Sequence, residues 1–143
     1  VIDEGAITRR LILDEGEVLH VYWDSLGFAT LGVGRLVDER KGGGITQDES
    51  RYMLRNDIHR KISECDARFE WWPLVDSVRQ QVLICMAFQL GVEGVTGFHD
   101  MCAALARGDY VRASIEMLNS TWARQTPARA QRMAKIMHSG VWE

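Results

Sequence analysis

Apolar residues recur along this chain with two different spacings, and the points where the spacing changes divide it. Residues 5–14 carry Ile7, Leu11 and Ile12 on one helical stripe, which predicts a short helix ended by Gly16. From Val18 the period falls to two. Leu19, Val21 and Trp23 alternate with His20 and Tyr22, and Asp24-Ser25-Leu26-Gly27 supplies turn chemistry. Phe28 to Val37 then reads as a second strand, so residues 18–37 are expected to form a β-hairpin. Gly42-Gly43-Gly44 breaks the pattern. Thr46 with Glu49 three positions on has the form of a capping box, and Leu54, Ile58, Ile62, Cys65 and Phe69 behind it step along one face of a long helix. Trp71-Trp72-Pro73 stops that helix.

The second half is helical throughout. Residues 76–90 predict a helix whose stretch Val82 to Phe88 is apolar nearly all round, as expected at the centre of a domain. Gly91, Gly94 and Gly97 predict a turn. Further helices are expected at about 98–107, at about 109–119 with Asp109 as cap, and at about 127–138 with Thr126 as cap and Pro127 at the first helical position. The reading is an α+β chain, mainly α, forming a single domain over residues 1–143. It comprises a small N-terminal lobe with a β-hairpin (about 14–50), a long connecting helix (about 46–70) and a helical C-terminal lobe (about 71–143). The N-terminal helix 5–14 is expected to belong with that helical lobe.

Composition narrows the function. With 46% apolar residues the chain can build a core, and no apolar run approaches the roughly 18 residues of a membrane span. The opening VIDEGAITRR lacks the basic-then-apolar order of a signal peptide. A net charge of −3 argues against a dedicated nucleic-acid binder. Between Trp122 and His138, however, Arg124, Arg129, Arg132 and Lys135 meet no acid, a local positive face suited to an anionic polymer or simply to solvent. Cys65, Cys85 and Cys102 are odd in number and sit in apolar helical patterns, so no disulfide framework is expected. His20, His59, His99 and His138 are scattered without metal-ligand spacing, and neither a metal nor another cofactor is expected. Gly32-Val33-Gly34 is no nucleotide loop, because Val37 stands where a third glycine belongs and no helix follows.

Three residues suggest chemistry. Asp14 and Glu15 close a helix whose C-terminus carries partial negative charge, an unfavourable place for acids unless something uses them. Such surroundings would raise a carboxyl pKa toward the range of a general acid. Asp24 stands where a turn prefers Asp. A hairpin packed against the first helix would also set Asp24 opposite Glu15, and glycoside hydrolysis generally needs two carboxyls flanking one bond. Thr30 is a good strand residue whose hydroxyl can also hold a water.

The run Asp14-Glu15-Gly16, then Tyr22-Trp23-Asp24 through Leu36, resembles the active-site hairpin of the lysozymes of T-even-type phages, glycoside hydrolase family 24. Residues 16–23 separate Glu15 from Asp24 and residues 25–29 separate Asp24 from Thr30, the family's spacing of eight and five, and Gly32-Val33-Gly34 matches its G-x-G. MAFQLGVEGVTGF (Met86 to Phe98) and TWARQTPARA (Thr121 to Ala130) continue the likeness in register. The resemblance implies a lysozyme-like fold and a cofactor-free muramidase that cleaves the β-1,4 bond between N-acetylmuramic acid and N-acetylglucosamine with inversion. It implies Glu15 as proton donor, Asp24 and Thr30 as the residues handling water, and Gln89, Trp122 and Arg129 along the substrate cleft. Among the other tryptophans, Trp71 and Trp72 are expected to pack rather than to stack sugars.

Its implied partner is the glycan strand of peptidoglycan, met by a monomer without membrane insertion or nucleic acid. Its implied route is synthesis in the host cytoplasm and release to the periplasm or cell wall by a separate pore protein, for bacterial lysis. Two departures stand out. Arg35 replaces the usual His after G-x-G, which leads us to expect an ion pair between Arg35 and Asp57. The link from Val37 to Ile45 is short, lacking the helix and strand usual there. That shortening keeps a catalytically weak or inactive peptidoglycan-binding module open as an alternative. A lytic transglycosylase is the other alternative, disfavoured by a site that handles water.

Overall fold

The computed structural model describes residues 2–142 and divides into two compact units, one running to Tyr52 and one from Met53 onward. The first opens with helix α1 (Glu4–Glu15), capped by the Asp3 carboxylate on the Ala6 N–H at 2.9 Å and closed by Gly16 at φ 77°. Strand β1 (Val18–Trp23) pairs antiparallel with β2 (Ala29–Gly32), with Tyr22 opposite Thr30 and Trp23 opposite Ala29. The expected continuous second strand is in fact two. A turn at Val33-Gly34, with Gly32 and Gly34 both at positive φ, folds β3 (Arg35–Leu36) back on β2 and makes a three-stranded sheet in the order β1-β2-β3. Residues other than glycine rarely adopt that backbone region, so the G-x-G spacing is what permits the reversal.

After β3 a single 3₁₀ turn (Glu39–Lys41) and the three glycines close the gap to α2 (Gln47–Arg68). The return is tight: the N–H groups of Gly43 and Gly44 reach the carbonyls of Asp38 and Leu36 at 3.0 and 3.2 Å. The capping box forms as expected, the Thr46 N–H donating to Glu49 Oε2 at 2.7 Å and the Glu49 N–H to Thr46 Oγ1 at 3.2 Å.

The second unit is all helix: the remainder of α2, a 3₁₀ turn (Trp72–Leu74), then α3 (Ser77–Leu90), α4 (Val92–Thr96), α5 (His99–Ala106), α6 (Tyr110–Leu118), α7 (Thr121–Gln125) and α8 (Pro127–Ser139). Its core draws Val82, Leu83 and Met86 from α3, Met101 and Leu105 from α5, Met117 from α6 and Met137 from α8, joined by Cys65, Phe69 and Trp72. Helix α3 is less enclosed than its apolar run suggested, since Cys85 and Phe88 are exposed. In place of the expected bare turn, Gly91 and Gly97 bracket helix α4, with Gly94 inside it. Asp109 caps α6 as expected, but Thr126 does not cap α8: its hydroxyl turns back to the Trp122 carbonyl at 3.0 Å and closes α7. A hairpin unit, a long helix and a helical unit in this order form the lysozyme-like fold.

Candidate active site

Glu15 ends α1, and one of its carboxylate oxygens points at the β2–β3 turn, where a methyl group added to Gly34 would lie 3.9 Å from it. The neighbouring acid is spoken for: Asp14 bonds Arg10 one helical turn back at 2.8 Å. Of the two acids at this helix end, Glu15 is therefore the one turned toward the sheet.

Asp24 and Thr30 are joined through one backbone group. The carbonyl of Phe28 accepts both the Asp24 N–H at 2.9 Å and the Thr30 hydroxyl at 3.0 Å. In return, Asp24 Oδ1 accepts the N–H groups of Leu26 and Phe28 at 2.9 and 2.8 Å, and the Asp24 carbonyl accepts from Gly27. This is an Asx turn built on a β-turn, the arrangement Asp favours at the first turn position. Its chemical result is that Oδ1 is committed to the backbone while Oδ2 makes no bond among the described residues. Thr30 is buried, and having donated its one hydrogen it presents only acceptor capacity to a water.

The second unit gathers the other expected residues. The Trp122 indole N–H donates to Gln89 Oε1 at 2.9 Å, and its buried ring meets Phe98 edge-on at 6.0 Å. Gln89, Trp122 and Arg129 line one cavity of about 660 Å³, walled mostly by apolar side chains such as Ile58, Ile84 and Met133 and also by Gln81 and Arg132. Trp122 also borders a second cavity of about 490 Å³ with His99, Asp100 and Glu116, where the buried Glu116 is ion-paired to Arg112.

The expected pair of Arg35 with Asp57 is replaced by two others. Arg35 grips both oxygens of Glu49, at 2.8 and 3.1 Å, while Asp57 bonds Arg60 one helical turn on at 2.8 Å. The reason is local. The short glycine link brings the start of α2 back beside β3, and the capping-box glutamate already there offers a planar carboxylate to a planar guanidinium. The backbone N–H of Thr46 and the Arg35 side chain together hold the Glu49 carboxyl below its ordinary pKa.

Three residues that the sequence reading passed over also belong here. Asp38 accepts the Ala29 N–H at 3.2 Å and pairs with Arg40, whose guanidinium reaches the Gly27 carbonyl at 3.2 Å and lies over the Phe28 ring at 5.2 Å. The Arg40 side chain first, then the two backbone N–H groups, hold the Asp38 carboxyl far below its usual range against a partial opposition from burial. The only signal was Asp followed two positions later by Arg just past a strand, which also suits an ordinary solvated turn.

The phage lysozyme family model matches residues 13–136, nearly the whole chain. The chain belongs to the phage lysozyme family. It is 32% identical to the pre-baseplate central spike protein Gp5 of Enterobacteria phage T4 over 96% of its own length, and it spans only 28% of that protein. Two probable T4-type lysozymes of Dictyostelium discoideum are each 27% identical, with 96% of both chains aligned. As a phage lysozyme it falls in a family of lysozyme-type, peptidoglycan-related hydrolases, and Glu15, Asp24, Thr30, Gln89, Trp122 and Arg129 all lie within the matched region.

Proposed function

We propose that this phage lysozyme is an N-acetylmuramidase that hydrolyses the β-1,4 bond from N-acetylmuramic acid to N-acetylglucosamine, inverting the anomeric carbon. Glu15 donates its proton to the leaving glycosidic oxygen as the bond breaks. Asp24 Oδ2 takes a proton from the attacking water, which the Thr30 hydroxyl oxygen holds by accepting its second hydrogen. The water attacks the face opposite the leaving oxygen, leaving room between the carboxyls for a nucleophile that is not a protein group. Gln89, Trp122 and Arg129 line the path of the glycan, Arg129 supplying positive charge to an anionic polymer. The enzyme works alone on peptidoglycan in the periplasm or cell wall after synthesis in the host cytoplasm.

The observation that carries this reading is the shared Phe28 carbonyl, which ties Asp24 and Thr30 to one backbone group and leaves one an uncommitted carboxylate oxygen and the other a hydroxyl that can only accept. A solvated turn needs no such coupling between its first residue and a buried threonine on the next strand.

The test is mass spectrometry of fragments released from purified peptidoglycan, with Glu15→Gln as control. Hydrated, reducing muropeptides that disappear in the variant are expected, and NMR of the fresh product should show the inverted anomer. Anhydro-muropeptides would make the protein a lytic transglycosylase. Binding to the polymer with no fragments released would make it a binding module. Full activity in Glu15→Gln would remove that residue from the mechanism.

A further inference from the structure

Between β3 and α2 this chain has little more than Asp38, a single 3₁₀ turn and three glycines. That turn is unusually well tied to the catalytic hairpin. Asp38, buried although it is an acid, accepts the Ala29 N–H at 3.2 Å, and the Arg40 guanidinium binds both Asp38 oxygens and the Gly27 carbonyl. Between those two grips lies Phe28, with Arg40 and Lys41 set over its ring at 5.2 and 4.8 Å. Phe28 is also the residue whose N–H bonds Asp24 Oδ1 and whose carbonyl takes the Asp24 N–H and the Thr30 hydroxyl. The backbone group that joins Asp24 to Thr30 thus belongs to a residue held from behind, on both sides in sequence and across its ring.

We infer that Asp38 and Arg40 form a clamp that positions Asp24 and Thr30 for catalysis through Phe28. Arg40 is a positioning residue: it acts on the water-handling group only through the backbone of residues 27–29. The physical case is one of leverage. A two-stranded turn braced only by its own hydrogen bonds frays readily, and a displacement on the order of 1 Å in a reacting group can cost about a hundredfold in rate. A bidentate guanidinium–carboxylate pair is planar and directional, so it fixes orientation as well as distance. Lysine could keep the charge but not the fork that reaches Asp38 and Gly27 together.

The inference rests on the proposed roles of Asp24 and Thr30, and its test separates the two. Turnover and KM are measured on soluble glycan oligomers for Arg40→Ala, Arg40→Lys, Asp24→Asn and the Arg40→Ala/Asp24→Asn double variant, each at a temperature where it is folded. Arg40→Ala should lower kcat by about 10- to 100-fold while KM moves less than about threefold, with Arg40→Lys between it and the parent. Added to Asp24→Asn it should cost almost nothing more, because its effect passes through the water-handling Asp24–Thr30 group that Asp24→Asn already disables. Unchanged turnover per folded molecule in Arg40→Ala overturns the clamp. So does a loss that simply multiplies that of Asp24→Asn. If Asp24→Asn is itself active, the catalytic roles fail instead, and the clamp is then judged by hydrogen exchange. The amides of Phe28 and Ala29 should exchange at least about tenfold faster in Arg40→Ala, or in Arg40→Lys if the alanine variant does not fold, with α3 and α8 unaffected. Equal exchange at those two amides overturns it.

Discussion

Arg79 offers the sharpest test of how the helical unit is closed. It sits near the start of α3, mostly buried, and its Nε and Nη2 donate to the carbonyls of Met137 and His138 at 2.7 and 3.1 Å. These are orphan carbonyls at the end of α8, where a helix has no partners of its own and carries partial negative charge. The third nitrogen pairs with Asp76 at 2.7 Å, and the guanidinium carbon lies 3.8 Å from the centre of the Tyr110 ring. One side chain therefore ties α3 to α6 and α8 across 58 residues of sequence.

Replacing Arg79 with Ala removes two charge-assisted bonds to carbonyls worth about 1.5 kcal/mol each and a desolvated cation–π contact worth about 1 kcal/mol; the pair with the half-exposed Asp76 adds little. The released side-chain ordering returns about 1 kcal/mol. The net loss is about 3 kcal/mol, or about 10 °C in melting temperature for a chain of this size. Denaturant unfolding followed by tryptophan fluorescence reads it directly, since Trp71, Trp72, Trp122 and Trp142 all belong to the helical unit. Arg79→Lys should recover less than half, because an ammonium cannot serve two carbonyls and stack on a ring at once. Gly140→Ala gives a second approach. Its new methyl would lie 2.8 Å from Arg79 Nη1 on a backbone at φ 69°, so it should both strain the helix end and displace the guanidinium. In the Arg79→Ala background only the strain remains, about 1 kcal/mol. A loss under about 1 kcal/mol for Arg79→Ala, or strictly additive effects with Gly140→Ala, would refute the reasoning.

The three glycines of the shortened link differ in what they require. A methyl on Gly43 would meet the Leu36 carbonyl oxygen at 2.7 Å, so Gly43→Ala should destabilise the hairpin unit by about 1–3 kcal/mol in thermal unfolding. Gly44→Ala meets nothing within 4 Å and should fail only through its φ of 148°, so Gly44→Asn should be tolerated no better. Because the Asp38 carboxyl is depressed in the folded chain, its stabilising effect is complete above the ordinary Asp pKa and is lost as pH falls below about 4. Asp38→Asn should accordingly flatten the decline of the denaturation midpoint in acid; an unchanged slope would show that Asp38 does not contribute. Burial pushes the Cys65 thiol up to about 11. At about pH 8 its thiolate population is then about 200-fold below that of a free cysteine, so a thiol reagent should leave it unmodified until the chain unfolds. Rapid native labelling at Cys65 would contradict the packing of α2.

Much of this protein was written in local sequence. The hairpin, the capping box at Thr46, the long helix and the cap at Asp109 rest on periodicity, turn chemistry and hydrogen bonds spanning three or four residues, all of which a linear reading sees. Glu15, Asp24 and Thr30 were named by the family resemblance of their spacing and not by periodicity, and the hairpin joins the last two through the Phe28 carbonyl. What tertiary structure decided was partnership. Arg35 faces Glu49 and not Asp57 because the glycine link doubles back, and charge alone gave no preference between two acids. Thr126 looked like a cap, yet its hydroxyl found the Trp122 carbonyl because the chain turns there between two short helices. Phe28, Asp38 and Arg40 carried no distinctive pattern: an acid, a base and an aromatic near a turn are ordinary surface residues until folding puts the guanidinium over the ring. Periodicity reports which face of an element is apolar. It cannot report which of several compatible polar groups will meet, because that depends on distances set only when the elements pack.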